Sequence, residues 1–338
     1  MFRIQKCKRW NEESYNKLLE NPSNPFVYYN VLNSCCNPFS SIKFFIAKKI
    51  INTVTWFIVY YESDPVMVVP VRLFYKKKTA YVLGSLEGFD YVDIIYKQGL
   101  SHSERIEAFA IVMKALTDDD YKVLYWNYLD AKSESNIIIS ETCDYSAQYV
   151  KNVCVKLKDY DSYDNYLKTL SKHVRQNIRT AYNRTKKDSL LIDKNIYNSK
   201  QQLLSNKTID LILSKYYKIY KDRHSSHYHN KRRFQKWINY AWRALDENNA
   251  FMADITFNGE ISAFLFGFID DESVYITRLA INEKYKFYSP GMILVNEIIK
   301  YLIDEKKYNL NLLRGTEKYK LDFGGEIYNT INYTINLK

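Results

Sequence analysis

The sequence predicts an α+β protein made of two similar halves, each a mixed, largely antiparallel sheet flanked by helices. Three observations lead there. A chain of 338 residues exceeds what one hydrophobic core usually organises, so two domains are expected. Short alternating stretches of strand length are interleaved with longer helical-period stretches. The order "antiparallel strands, one crossover helix, another strand" then occurs twice along the chain.

In the first half, strands are expected over 54–62 and 66–75, around the turn Ser63-Asp64-Pro65. Further strands follow over 80–84 and 91–96. Ser101 caps a helix running to about Leu116, and 123–127 reads as a buried strand. The second half opens with helices over 161–186, 209–221 and 233–247. Strands over 251–257 and 261–269 flank Asn258-Gly259, the strongest short hairpin signal. A third strand covers 273–281 after the turn Asp270-Asp271, and a loop over 282–288 leads to a helix over 289–303. Strands over 309–313 and about 328–337 close the chain. The two domains are expected over 1–158 and 159–338.

Composition excludes several classes. Nine Gly and six Pro against 32 Tyr leave little material for glycine-rich phosphate loops. Neither G-x-G-x-x-G nor G-x-x-x-x-G-K-[ST] occurs. The start, MFRIQKCKRW, is charged and lacks the apolar stretch of a secretory signal. The most apolar segment, about 50–61, is too short and too polar to span a bilayer. Five cysteines, odd in number and without C-x-x-C spacing, fit a reducing cytoplasm better than a disulfide framework or a structural zinc site. A cytoplasmic location is therefore expected. The net charge of +11 favours anionic partners without choosing among nucleic acid, a membrane surface, nucleotide-linked sugars and coenzyme A.

The stretch FYSPGMILVNEIIKYL, residues 287–302, carries the first functional signal. Ser289 suits an N-cap, Pro290 suits the first helical position, and Gly291 removes a side chain between backbone and ligand. A capping box would need Glu or Gln at 292, where Met292 stands, and the first acid of the helix is Glu297. The positive end of the helix dipole thus has no protein carboxylate, as an anion site requires. Lys284 and Lys286 add positive charge upstream. The plainer reading is that Ser-Pro is a common helix start and that Gly serves close packing. Leu294, Val295, Ile298, Ile299 and Leu302 give the helix an apolar face. That face would place the mouth between the ends of two sheet strands.

YITRLAINEKYKFYSPGMILVNEIIKYL followed by NLNLLRGTEKYKLDFGG resembles the GNAT acyltransferase superfamily. More narrowly, it is similar to acetyltransferase domains of cellulose and other envelope-polysaccharide biosynthesis. Their pattern has an S-P-G helix start and, a strand later, G-x-x-x-Y-K, matched by Gly315, Tyr319 and Lys320. LSKHVRQNIRTAYNR, MADITFNGEISAFLFGF and, in the first half, GFDYVDIIYKQGL match the same family. The resemblance covers nearly the whole chain as two tandem GNAT-like domains, the first with a degenerate donor site.

The resemblance implies acyl transfer from acetyl-CoA or another acyl-CoA to an amine, without a metal. Carried over, the pyrophosphate would rest on the amides of Tyr288, Ser289, Gly291 and Met292. Strand backbone at Thr277, Arg278 and Leu279 would hold the thioester carbonyl. The family's more common glycine-rich pyrophosphate loop is replaced here by residues 284–288. Glu317 and Asp322 are candidate bases, Tyr319 the acid for the departing thiolate, and Lys320 or Arg314 a clamp for an anionic acceptor. Each has a bland alternative: a solvated Glu317–Lys320 pair, and Tyr319 as core.

Lys172, Arg175 and Arg179 share one face of a basic helix, which is either a solvated surface or a site for acceptor phosphates or RNA. His224, His227 and His229 lack the carboxylate frame of a zinc site, so His227 is assigned to the acceptor cleft. The resulting expectation is an N-acyltransferase acting on a small-molecule or nucleotide-linked amine, such as an amino-sugar precursor of an envelope polysaccharide. Two rivals stand beside it. One is a Fem-type peptidyltransferase using aminoacyl-tRNA, whose FK..FGG element is approximated by YKLDFGG. The other is a non-catalytic anion- or nucleic-acid-binding protein on the same scaffold. Contact with a membrane surface stays open in all three.

Overall fold

The computed structural model describes residues 1–7, 54–86, 90–97, 99–198, 206–223, 250–306 and 308–338. The expected helix over 233–247 and the three-histidine segment lie outside them. The chain divides into two compact units, Met1–Val150 with Asn329–Lys338, and Lys151–Tyr328. The sequence reading drew a single boundary at 158/159. The division instead falls inside two long strands, and the last ten residues return to the first unit.

The first unit contains β1 (Phe2–Cys7), β2 (Val54–Tyr61), β3 (Asp64–Phe74), β4 (Thr79–Val82), β5 (Ile95–Tyr96) and β6 (Val123–Asp130). Its sheet runs β1-β2-β3-β4-β6, antiparallel except for β4 and β6. It is completed by the end of the last strand, whose Thr330 to Asn336 pair antiparallel with β6. Helix α1 (His102–Asp118) is the crossover between the parallel strands, and α2 (Glu134–Thr142) follows β6. Phe109, Val112 and Leu116 of α1 pack with Phe57, Val69, Val71 and Trp126 of the sheet. The Trp126 indole N–H donates to the Val92 carbonyl at 2.7 Å, so the largest buried side chain leaves no polar group unpaired.

The second unit holds β8 (Ile192–Asn198), β9 (Ala250–Phe257), β10 (Glu260–Ile269), β11 (Ser273–Ile281) and β12 (Asn309–Arg314) in that order across its sheet. Lys151–Val155, the end of β7 (Asp144–Val155), pairs antiparallel with β12. Helices α3 (Tyr163–Thr169), α4 (Lys172–Lys187) and α6 (Pro290–Glu305) share one core. That core sets Ile298, Ile299 and Leu302 against Phe251, Ala253 and Ile255. Helix α5 (Asn206–Arg223) packs on the other face, where Tyr216 stacks on Phe264 at 4.4 Å. With both faces covered, β9 is buried at every position. A short helix, α7 (Lys318–Asp322), links β12 to β13 (Glu326–Asn336). Among the described residues no helix is long and apolar enough to cross a membrane.

Most expected elements are present within a residue or two, and the departures have local causes. The helix expected over 161–186 is two helices, because Leu170 is extended (φ −72°, ψ 151°) and the Ser171 hydroxyl starts α4 by accepting from the Val174 N–H at 3.3 Å. The strand expected over 91–96 shrinks to Ile95–Tyr96. There the Asp93 carboxylate takes the Ile94 N–H at 2.7 Å and the Ser135 hydroxyl, in place of a ladder partner. Burial pushes Asp93 up to about 7 despite those two bonds. The loop expected over 282–288 is a 3-10 turn, Glu283–Tyr288.

Candidate active site

The mouth of α6 is built by the turn that precedes it. Ser289 is not an ordinary N-cap: it sits in the left-handed region (φ 53°, ψ 51°), and its hydroxyl caps nothing. Its own amide is bonded to the Lys286 carbonyl at 3.0 Å, and its carbonyl takes the Met292 amide at 3.0 Å. Of the amides offered to an anion, that of Gly291 has no acceptor among the described residues, and the first turn contains no acid. Gly291 also serves packing. A Cβ there would lie 3.0 Å from Ile281 Cγ2 and 3.9 Å from Leu279 Cδ2, so the helix start is pressed against the end of β11.

Positive charge reaches this mouth from α4. Arg184 donates to the Phe287 carbonyl at 2.8 Å and lies 4.7 Å over the Phe287 ring, which is 62% exposed. Tyr288 donates to Asp188, just past the end of α4, at 2.8 Å. The sequence contains no signal for the Arg184 contact, which joins residues 103 positions apart. The upstream lysines are already engaged: Lys284 with Glu260, and Lys286 with Glu283 at 3.5 Å.

β11 carries the second part of the site. Its pairing with β10 shifts between Phe266 and Gly267, leaving Thr277 as the extra residue of a β-bulge. A Cβ at Gly267 would lie 1.8 Å from the Tyr275 carbonyl oxygen, so only glycine permits this approach. The Thr277 hydroxyl donates to Phe266 O at 3.2 Å, and the Thr277 carbonyl accepts from its neighbour Arg278 at 2.6 Å. The parallel pairing of β11 with β12 stops at Tyr275 and Asn311, immediately before the bulge. Thr277, Arg278 and Leu279 therefore lie where the two strands part.

The G-x-x-x-Y-K element departs from its expected roles. Lys320 is 4% exposed, and its ammonium donates to Arg314 O at 2.6 Å and Gly315 O at 3.3 Å while pairing with Glu317 at 2.9 Å. Three protons meet three protein acceptors. Lys320 is therefore a buried staple for the end of β12 and has no proton to spare for an acceptor. Burial would raise the Glu317 carboxyl, but the Lys320 ammonium and its own amide outweigh this and hold it low, which makes it a weak base. Asp322 is paired with Lys318 at 2.6 Å, and Tyr319 is partly buried against the core. Among the described contacts none joins these residues to the mouth of α6.

The expected acceptor-binding residues are scattered. Arg175 donates to the Lys168 and Leu170 carbonyls at 3.1 and 2.7 Å and so closes the end of α3. Arg179 is exposed and bonded to Gln176 at 3.4 Å. Arg314 ends β12, with its backbone in register with Asn152. His227 lies outside the described residues.

An open helix mouth, a bulged strand beside it and a parting parallel pair lie together in the second unit. Residues 172–321 match the family model of the acetyltransferase (GNAT) domain. The second unit is a GNAT acyltransferase domain. Three solved structures resemble this chain over nearly its whole length. A conserved protein of unknown function from Bacteroides thetaiotaomicron is 12% identical with a TM-score of 0.58, covering 99% of this chain and 100% of that one. FemX is 8% identical with a TM-score of 0.59, covering 99% and 97%. L-PGS from Bacillus licheniformis is 12% identical with a TM-score of 0.56, covering 97% and 92%. At these identities the likeness is one of fold. No curated protein matches the sequence at a significant level.

Proposed function

We propose that the second unit transfers an acyl group from acetyl-CoA, or another acyl-CoA, to the amine of a small-molecule or nucleotide-linked acceptor such as an amino-sugar precursor of an envelope polysaccharide. One observation carries this reading. The mouth of α6 presents a Gly291 amide without an acceptor among the described residues, no first-turn carboxylate, and the Arg184 guanidinium at Phe287, two residues before Ser289. A helix N-terminus so arranged favours a phosphate. The donor, when bound, supplies an activated acyl group. Gly291 and Arg184 would hold its pyrophosphate, and the backbone of Thr277, Arg278 and Leu279 would orient the thioester carbonyl. Tyr319 would meet the departing thiolate, with Lys320 positioning the loop that carries it.

Thermal unfolding with saturating acetyl-CoA, longer acyl-CoAs and aminoacyl-tRNA tests the donor. A ligand at a hundred times its Kd adds about 2.7 kcal/mol, a rise in Tm of roughly 5 °C for a unit of this size. We expect that rise with an acyl-CoA. A rise with aminoacyl-tRNA alone would make the chain Fem-type in its chemistry, and no rise with either ends the donor assignment.

A further inference from the structure

A cavity of about 500 Å³ lies in the second unit where α5 faces the ends of β10 and β11. That volume suits a small-molecule ligand. Its floor is apolar, formed by Ile219 of α5, Ile261 of β10 and Ile281 of β11. Its charged groups are unequal in what they have left to offer. Glu260 accepts from the Lys284 ammonium and from the Tyr285 hydroxyl at 2.7 Å, and these two donors hold its carboxyl below the usual range. Glu283 has Lys286 at 3.5 Å. Both acids of the wall therefore have cations of their own. Lys215 and Lys218, on one face of α5, form no ion pair with a described residue. The acid whose field reaches Lys215, Asp254, is 2% exposed and already takes the Tyr216 hydroxyl at 2.6 Å and the Asn195 amide at 2.9 Å. The cavity thus carries, above an apolar floor, two ammonium groups with no ion pair among the described residues.

The same helix also reaches the bulge. Tyr220, on the same helix as Lys215 and Lys218, lies 5.8 Å under the Arg278 guanidinium, which is itself bonded to the Thr277 carbonyl. Along β11, Ile281 is four residues from Thr277, about 13 Å at strand rise. We propose that this cavity binds the anionic end of the acyl acceptor, so that the acceptor is an amine carrying a phosphate or carboxylate about 10 Å from its nitrogen. This rests on the acyl-transfer reading above and replaces Arg175 and Arg179 with Lys215 and Lys218 as the acceptor's anchors.

Equilibrium binding of three probes to the full chain tests the assignment: 6-aminohexyl phosphate, 8-aminooctanoate and hexylamine. The two anionic probes are expected to bind and hexylamine to bind at least about tenfold more weakly, with the tighter anion naming the head group. Lys215→Gln and Lys218→Gln should each weaken the anionic probes about tenfold and leave hexylamine unchanged. Both lysines are exposed, so the variants are expected to fold, and an unaltered melting midpoint verifies it. Equal binding of all three probes, or anionic binding that survives in the folded double variant, overturns the proposal. The acetyl-CoA thermal shift is followed in parallel. Its absence in the unaltered chain counts against the donor reading alone, while the probe titrations decide the cavity.

Discussion

The two units share one strand order and differ at two points along the same crossover. In each, a hairpin leads to a third antiparallel strand, then to a helix, then to a strand parallel to the third over only three residue pairs. The parting of the parallel strands is therefore common to both. In the first unit the β3–β4 register is continuous, and α1 is closed by a full capping box: Ser101 accepts from the Glu104 amide while Glu104 takes the Ser101 amide at 2.8 Å. In the second unit the corresponding ladder is bulged, and α6 begins on a left-handed serine with neither cap nor acid. A carboxylate at the third helical position satisfies the helix end from within the protein. Its absence leaves the same electrostatic need to a ligand. We read the first mouth as closed to a donor and the second as open to one.

The bulge is the feature whose removal should cost most. Gly267→Ala places a methyl group where the Tyr275 carbonyl oxygen lies at 1.8 Å, and a carbonyl fixed in a central strand cannot swing aside. A loss of about 3 kcal/mol is expected, at the upper end for overpacking, measured by urea denaturation. Unchanged stability would mean that β10 and β11 can pair without the bulge, and the main backbone difference between the units would vanish.

Met292→Glu converts the second mouth toward the first. The new carboxylate would compete with any phosphate for the mouth, and like charges brought together cost several kcal/mol. Donor affinity should fall about a hundredfold by titration calorimetry, while the helix gains a favourable dipole contact. Met292 also packs against the core, so Met292→Gln measures the packing loss without the charge. Equal weakening by Glu and Gln would show that the missing acid has no part in binding.

How much of this was legible in the sequence follows from what each feature depends on. The strands, the Asn258-Gly259 hairpin and the acid-free start of α6 are local, and local patterns show them. Asn258 and Gly259 do take the left-handed angles, φ 50° and 79°, of a tight hairpin turn. The G-x-x-x-Y-K match marked out the segment after β12, but not the work of its lysine. A lysine on a short polar helix reads as exposed, and only the carbonyls of Arg314 and Gly315 turning inward make Lys320 a staple. The bulge left a trace in Gly267, which reads equally well as an ordinary strand glycine. Arg184 at the α6 mouth left none, because its partner is a backbone carbonyl far along the chain. The strand that ends the second half by sequence finishes in the first unit, where Thr330 to Asn336 pair with β6, a long-range pairing that local patterns do not show.

The smallest effect separates the two serines that start the crossover helices. Both stand at the residue before the first helical turn, yet only the Ser101 hydroxyl accepts a helix amide, from Glu104 at 3.3 Å. Ser101→Ala should therefore lower stability by about 1 kcal/mol, visible as faster amide exchange in the first turn of α1. Ser289→Ala removes no cap and should change little. Ser289→Gly should stabilise slightly, since a left-handed angle of φ 53° costs a glycine less than a serine. The two measurements bear on the donor site as well as on the fold. If Ser289→Ala were as costly as Ser101→Ala, the Ser289 hydroxyl would be closing the mouth of α6, and the open helix end offered to an anion would be gone.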